Sequence, residues 1–392
     1  MNCGFRQVVN VLEIINEEFS NVFDEIPCHN TIENWVKKCG LDLYKTSGDK
    51  LKDSKYAQIV DESMMIGNEK LLLTLGVPAE HVGRPLNFND VKILDMAVAN
   101  SWNGEGVSRQ LETAARKVGH DPEYVISDNA SVMNKGIRCA NFKHQHDISH
   151  SLGMFLERTY KNDLEFIDYC KLMTAPKFKY NMTKIAYLLP PKQRTVARFM
   201  NMKDWVVWSF KILKAYNGLS DEERKIFSFV PAKAPFIDEL MKVQRCINKI
   251  EKMCKDKGLS KETGMKCRQE VMDCLLKGNQ RMKSLGVQIC DFLTKEVEAV
   301  EEGAIHNNSS DIIESIFGKY KTRKSPNKLN GVTPFILFLP LHAALSGKTK
   351  KEKYDFKSAL ENTLVKDINV WADKNLTPNL IQSRINKLNK AA

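Results

Sequence analysis

Residues 124–130 read Tyr-Val-Ile-Ser-Asp-Asn-Ala, and the rest of the chain is arranged around this stretch. Residues 124–126 form a short apolar, β-branched run, which predicts a buried strand. Asp128 follows where that strand ends, and ligands gather at the carboxyl ends of strands in open α/β sheets. A carboxylate there is costly to desolvate unless it is paired or bound to a metal. Taken alone, Asp128 is better explained as a turn or helix-capping residue. Two further carboxylates elsewhere in the chain favour a functional role instead.

The segments on either side of this stretch predict an α/β unit. Further strands are expected at residues 56–63, 70–77, 91–101 and 144–148, and helices at 106–118, 131–141 and 149–160. Three meandering strands followed by alternating helices and strands form the ribonuclease H-like arrangement, with a mixed five-stranded sheet. We therefore expect the first part of such a core at residues 55–160.

Length and composition limit the class of protein. A chain of 392 residues predicts two or three units, and 43% hydrophobic with 27% charged residues is typical of a globular protein. No run of eighteen apolar residues or signal-peptide pattern occurs, which favours a cytoplasmic protein without membrane contact. The ten cysteines form no Cys-x-x-Cys pair, so reduced, largely buried thiols are expected. A net charge of +11 indicates an anionic partner, most commonly nucleic acid.

The N-terminal residues predict two helices. Residues 8–19 carry a helical apolar stripe, and Asn30 with Glu33 forms a capping-box pattern that opens a second, short helix ended by Gly40. Two helices joined by a tight turn fit a helix-turn-helix DNA-binding region over residues 1–45, or an ordinary helical hairpin. Because the first predicted helix begins close to residue 1, we expect that further DNA-binding elements precede it. The expected DNA contacts are Asn30, Thr31, Lys37 and Lys38.

From residue 161 to 305 the strand pattern disappears and amphipathic helical patterns take over, which predicts an all-helical insertion. Trp205 and Trp208 share a helix face there, and a core role is more common for such a pair than stacking on DNA bases. Residues 306–345 then bring a helix containing Glu314 and complete the core, before a basic helical tail at 346–392. A basic stretch that follows Glu314 supplies further expected DNA contacts: Lys319, Lys321, Arg323 and Lys324.

Asp61 on the first strand, Asp128 after the fourth and Glu314 on the late helix form a carboxylate constellation. This resembles the DDE transposases of bacterial insertion sequences, in which a helical insertion interrupts a ribonuclease H-like core before the final glutamate. Glu314 and Lys321 match the Glu-x₆-Lys pairing of several such families. Asn307 and Ser310 stand where one group carries tyrosine and arginine, so the chain departs from that group.

The resemblance implies that Asp61, Asp128 and Glu314 are the catalytic residues and hold two Mg²⁺ ions, with Mn²⁺ as a substitute. Asp61 would bridge both ions, while Asp128 and Glu314 would each hold one. Two ions about 3.5–4 Å apart activate the attacking oxygen and stabilise the leaving oxygen of a phosphodiester. Mg²⁺ prefers carboxylate oxygens, so these residue types suit the chemistry.

Two other groups compete for this assignment. Glu62 neighbours Asp61, but adjacent strand residues point to opposite faces, so only one can face the site. A histidine-rich segment looks like a zinc site but lacks the usual paired spacing, and a strand end with a helix cap explains it better. That segment contains His144, His146, Asp147 and His150.

The expected function is therefore metal-dependent cleavage and strand transfer at the ends of a mobile element. The partners would be double-stranded DNA, as element ends and target, and further copies of the chain, as a homodimer or larger assembly on DNA. The protein would associate with the bacterial nucleoid when it is bound to DNA. The alternatives are a catalytically inactive, transposase-derived DNA-binding protein and a structure-specific nuclease of the same fold.

Overall fold

A computed structural model of the chain describes residues 3–19, 22–63, 65–192, 199, 202–324, 331–346, 354–378, 384–385 and 387–389. The α-helices and strands run in the order α1 Phe5–Glu18, α2 His29–Lys45, β1 Tyr56–Glu62, β2 Lys70–Pro78, β3 Lys92–Ala99, α3 Gly104–Val118, β4 Val125–Ser127, α4 Ser131–Cys139, β5 His144–His146, α5 Ile148–Tyr160, α6 Leu164–Tyr180, α7 Met202–Ala215, α8 Asp221–Ile226, α9 Phe229–Ala232, α10 Ala234–Lys257, α11 Lys261–Cys274, α12 Gln280–Glu298, α13 Asp311–Lys321, α14 Phe338–Leu345, α15 Phe356–Asn362 and α16 Val365–Asn375.

The chain folds into two compact units. Unit 1 comprises residues 1–79, 86–144 and 310–392, and unit 2 comprises residues 80–85 and 145–309. The boundary falls within β5, so α5 belongs to unit 2. The sequence-based boundary at residue 161 lies after α5, whereas the apolar face of α5 packs into the helical core that also contains α10 and α12.

The sheet has five strands in the order β3-β2-β1-β4-β5. β1 runs antiparallel to β2 and parallel to β4, and β2 runs antiparallel to β3. This is a mixed α/β sheet, as the sequence predicted, and every predicted strand and helix of residues 56–160 is present with ends shifted by a few residues. Helix α3 has clear termini, because Asn103 caps its first turn and Gly119 ends it with a φ of 99°.

Each face of the sheet is covered by helices. Ala57 and Ile59 of β1 point into the core that contains α13, whereas Val60 points into the core that contains α3. All three are fully buried. The near-continuous apolar run of β1 therefore reflects burial on both faces.

Helices α1 and α2 do not form the expected helix-turn-helix. Residues 19–28 separate them, so the joining turn is not tight. The N-cap of α2 is Cys28, without a capping side-chain bond, and the helix continues through Gly40 to Lys45. The predicted capping box at Asn30 and helix end at Gly40 were therefore wrong.

Gly40 serves packing rather than helix termination. It is buried, and a Cβ at this position would lie 1.7 Å from the carbonyl oxygen of Leu337. A close backbone approach between α2 and the turn before α14 explains the glycine. Leu41 and Leu43 of α2 are buried as well, so α2 is a core helix of unit 1.

The last helices also belong to the core of unit 1 rather than to a separate tail. Trp371 of α16 is 8% exposed, and its ring meets that of Tyr44 edge to face at 5.7 Å. Ile368 of the same helix is buried in the core that contains Ile59. The lysine-rich residues 348–353 lie outside the described part of the chain.

Unit 2 is helical, as the sequence predicted for this region, apart from short bridges such as Leu259 to His306. Trp205 is buried, and the indole N–H of Trp208 donates to the carbonyl of Leu188 at 2.9 Å. The expected core role of this tryptophan pair is confirmed.

A single arginine links three helices of unit 2. Arg281 of α12 forms ion pairs with Asp163 at 3.0 Å, Glu165 at 2.8 Å and Glu239 at 2.7 Å. The Tyr160 hydroxyl donates to the same Glu239 carboxylate at 2.9 Å. Because Glu239 is buried, these charge-assisted bonds offset its desolvation.

The ten cysteines are all thiols; five are buried, two are half-buried and three are exposed. In the part of the chain that is described, no helix is both long enough and apolar enough to cross a membrane.

Candidate active site

Asp61 and Asp128 occupy matching positions on neighbouring parallel strands. The β1–β4 register pairs Ile59 with Ile126, and each aspartate follows its isoleucine by two residues. Adjacent strands lie about 4.8 Å apart, so the register brings the two aspartates side by side. Both are half-buried, at the carboxyl ends of their strands.

Strand alternation also fixes which face the two aspartates share. Residues two apart on a strand point to the same side, so Asp61 follows Ile59 and Asp128 follows Ile126. Both isoleucines belong to the core that contains helix α13. The carboxylates therefore lie on the α13 face of the sheet.

Helix α13, which carries the third predicted carboxylate, packs on this face of the sheet. Ile313, Ile316 and Phe317 are at most 4% exposed, which confirms the predicted core-facing side of the helix. Glu314 and Gly318 are exposed on the other side. The helix thus packs on the face that carries the two aspartates, with Glu314 on its exposed side.

Local hydrogen bonds hold both aspartates at the strand ends. The Asp128 carboxylate accepts the backbone N–H of Ala130 at 3.0 Å, a turn that leads into α4. The Asp61 carboxylate accepts the N–H of Glu62 at 2.7 Å. Glu62 itself pairs with Lys70 at 2.5 Å across the sheet, which accounts for that carboxylate structurally.

The donor set suits a hard divalent cation, since Mg²⁺ prefers carboxylate oxygens and takes only a few of them from the protein. Among the described residues, no three His, Cys, Asp or Glu side chains stand close enough together to hold a metal ion. Asp61, Asp128 and Glu314 therefore do not form a three-carboxylate cluster in the described part of the chain.

The basic residues that follow Glu314 lie at the C-terminal end of α13. Lys319 and Lys321 are exposed, and the Lys321 ammonium lies 5.9 Å from the ring centre of Phe317. Arg323 stacks 4.9 Å over the ring of Phe338, and Lys324 is half-buried. Cations at a helix C-terminus also stabilise the helix dipole, so this placement has a structural explanation as well.

The N-terminal residues expected to bind DNA lie on α2, and two of them have partners within unit 1. Lys37 pairs with Glu33 at 2.5 Å, and the Lys38 ammonium donates to the carbonyl of Leu360. Asn30 is exposed and Thr31 half-buried in the first turn of the helix.

The histidine-rich segment is structural. Asp147 is the N-cap of α5 and accepts both the backbone N–H and Nδ1 of His150, at 2.7 and 2.9 Å. His146 Nδ1 lies 2.7 Å from the buried carboxylate of Glu296. In unit 1, His144 Nε2 lies 2.8 Å from the Ser127 hydroxyl at the end of β4. The expected strand end and helix cap is confirmed.

The Ser127–His144 contact is a feature that sequence reasoning missed. It joins the end of β4 to β5 directly beside Asp128 and helps to fix the strand end that carries this carboxylate. No local sequence motif predicts this contact, because the two residues are 17 positions apart.

No family model matches the sequence, and a comparison with curated proteins finds no significant match.

Proposed function

We propose that the chain is a DDE-type transposase that cleaves DNA at the ends of a mobile element and transfers the strand to a target. The observation that carries the proposal is the matched placement of Asp61 and Asp128 at the ends of adjacent parallel strands. Helix α13 packs on the same face of the sheet and carries Glu314 on its exposed side.

The topology of unit 1 supports the proposal. The strand order β3-β2-β1-β4-β5, with the first three strands antiparallel, is the order of a ribonuclease H-like sheet. A helical unit formed mainly by residues 145–309 separates β5 from α13. This matches a core interrupted before the final glutamate, which is the arrangement of the transposases that the sequence resembles.

In this function, Asp61, Asp128 and Glu314 would hold two Mg²⁺ ions. When bound, the ions activate the attacking oxygen and stabilise the leaving oxygen at the scissile phosphate. The carboxylates select and position the cations through oxygen ligation. The bonds from Ala130 and Glu62 N–H groups orient the two aspartates before any ligand arrives.

Helix α13 would also touch the DNA backbone. Glu314, Gly318 and Lys321 fall at i, i+4 and i+7 and are all exposed, so they share one face of the helix. A Cβ at Gly318 would meet nothing within 4 Å, so no contact within the chain requires glycine there. A DNA backbone passing over this face would explain it. Lys321 would then bind a phosphate near the cleaved end, and Lys319 would add positive charge.

The test is a cleavage and joining assay on DNA that carries the sequences flanking the coding region, with MgCl₂ or MnCl₂. Asp61→Asn, Asp128→Asn and Glu314→Gln should each lower the joining rate by at least a thousandfold. Glu62→Gln is the matched control, because it neutralises the adjacent carboxylate on the opposite face and should retain joining within a few-fold.

The results of this assay distinguish a transposase from a structure-specific nuclease and from an inactive DNA-binding protein. Cleavage of branched substrates without joining would favour a structure-specific nuclease. Tight binding of the flanking DNA by the wild-type chain without any metal-dependent cleavage would favour an inactive, DNA-binding descendant. Joining by an Asp61→Asn variant at the wild-type rate would remove Asp61 from the catalytic set.

A further inference from the structure

Unit 1 contains a cleft of about 650 Å³ at the edge of its sheet. The floor includes Ala97 of the edge strand β3, and the walls come from α2, α3 and α16. The volume lies in the range of small-ligand sites and suits one nucleotide rather than a duplex. None of the residues that line this cleft belongs to the candidate active site.

The aromatic residues that line the cleft differ in how well they are covered. Trp102 lines the cleft, is half-buried, and is fixed in place because its indole N–H donates to the carbonyl of Lys70 at 3.3 Å. The Tyr44 ring is already covered by the ammonium of Lys117, 3.5 Å from its centre. Trp371 is buried among the wall residues. Trp102 is therefore the residue on which a planar group could stack.

The rim of the cleft is positively charged. Two acids also line it: Asp95 is buried and accepts the Tyr44 hydroxyl at 2.6 Å, and Asp367 accepts the N–H of Leu364 at 2.8 Å. The exposed cations on three surrounding helices outnumber these acids, and they are Lys45, Arg109, Arg116 and Lys374. Such a rim favours a ligand that carries phosphate.

From these features we propose that the cleft binds an unpaired nucleotide of single-stranded DNA. The base stacks on Trp102, and the flanking phosphates bind Arg109 and Arg116. The proposal rests on the proposed function for the choice of DNA as the ligand. It assigns no part in phosphodiester chemistry to the cleft.

The test measures the affinity of a fluorescein-labelled 12-nucleotide oligo-dT for the full chain by anisotropy, with EDTA present. Trp102→Leu should weaken binding about tenfold, because stacking of one base on an aromatic ring is worth about that factor. The double variant Arg109→Ala, Arg116→Ala should weaken binding at least tenfold and reduce the slope of log K against log salt by about 1–2.

Arg138→Ala is the matched control, since Arg138 is an exposed arginine of α4 in the same unit but does not line the cleft. It should change the affinity less than twofold. A photocrosslink from 4-thiothymidine in the oligonucleotide to the peptide that contains Trp102 would give a second, position-specific readout that does not depend on a variant's stability.

Equal losses from the Arg138 and Arg109/Arg116 variants, or equal competition by a duplex of the same length, would overturn the proposal in favour of diffuse backbone attraction. Unchanged binding by the cleft variants would overturn it in favour of a water-filled cleft. Because EDTA prevents metal chemistry, failure of the cleavage assay would contradict the proposed function without altering these affinities.

Discussion

At the scale of single residues, two side-chain environments in unit 1 lead to direct tests. Gly318 lies on the exposed face of α13 with nothing within 4 Å of a Cβ. Lys117 is half-buried beside Tyr44 and Asp95, with its ammonium bonded to the carbonyl of Leu94 at 2.9 Å. Substitution of Gly318 tests whether α13 contacts DNA, and substitution of Lys117 tests how a half-buried charge affects the stability of the folded state.

Substitution of Gly318 should separate stability from activity. Gly318→Ala and Gly318→Leu should each raise the free energy of unfolding by up to about 1 kcal/mol, because helix propensity improves at an exposed position with nothing within 4 Å of a Cβ. If DNA passes over this face, Gly318→Leu should nevertheless block strand joining. Urea unfolding and the joining assay measure the two effects, and full activity of Gly318→Leu would show that the face does not touch DNA.

Lys321→Ala offers a companion test of the same face. Removal of one ammonium–phosphate ion pair should weaken binding to a pre-cleaved DNA end and reduce the salt slope by about one unit. Binding with unchanged affinity and slope would leave Lys321 as a solvated residue at the end of α13. Lys283→Ala, which removes an exposed lysine of unit 2, is the control for the change of one charge.

The Lys117 environment predicts a specific pH dependence of stability. Burial lowers the pKa of Lys117 from its ordinary value of 10.5 to about 8. Between these values the unfolded state binds more protons, so stability should rise with pH. Relative to Lys117→Met, the wild-type free energy of unfolding should increase by up to about 3 kcal/mol from pH 8 to 10.5. Parallel curves for the two proteins over this range would contradict the buried, charged state below pH 8.

At the scale of elements, helix α2 behaves as part of the core. Leu41 is fully buried, and Val36 and Tyr44 pack against the same core. Deletion of residues 1–45 should therefore unfold unit 1 rather than selectively remove sequence-specific DNA recognition. Near-UV circular dichroism of the truncated chain would show this as a loss of fixed aromatic packing, whereas a native spectrum would restore the idea of a detachable DNA-binding region.

The contact between α2 and the turn before α14 gives a sharper test. Gly40→Ala would place a methyl group 1.7 Å from the carbonyl oxygen of Leu337, so backbone must move. The expected loss is about 1–3 kcal/mol, although alanine normally favours a helix by about 1 kcal/mol over glycine. Gly218→Ala is the control, because its Cβ meets nothing within 4 Å. Equal stabilities in urea would rule out this close approach.

At the scale of the whole molecule, unit 2 has its own extensive apolar core and its own buried ion-pair network around Arg281. Residues 145–309 expressed alone should therefore be helical and melt cooperatively. Residues 80–85, which this fragment lacks, contribute hydrogen bonds from His81 to Lys255 and Ile305. The melting temperature of the fragment should therefore be below that of a longer protein that includes residues 80–85. A disordered far-UV spectrum for residues 145–309 would show that unit 2 depends on unit 1.

The sequence by itself determined the order of strands and helices from residue 56 to 160, the helical character of the region before Glu314, and the core-facing side of α13. These depend on local periodicity, which short stretches of chain carry completely. Ile313, Ile316 and Phe317 lie three or four residues apart, so their burial could be predicted from spacing alone. Asp128 was selected in part by the same logic, because it follows an apolar strand, whereas Asp61 was assigned through the resemblance to DDE transposases.

Only the tertiary structure decided the roles of residues whose partners are distant in the chain. Gly40 carries the signature of a helix end, yet its function comes from Leu337, almost 300 residues later. Trp371 joins Tyr44 in the core of unit 1, although its neighbours read as a basic tail. The parallel β1–β4 register sets Asp61 beside Asp128, and a strand's own sequence does not specify its partner. Local sequence fixes periodicity and caps, whereas register and close packing depend on surfaces that exist only after folding.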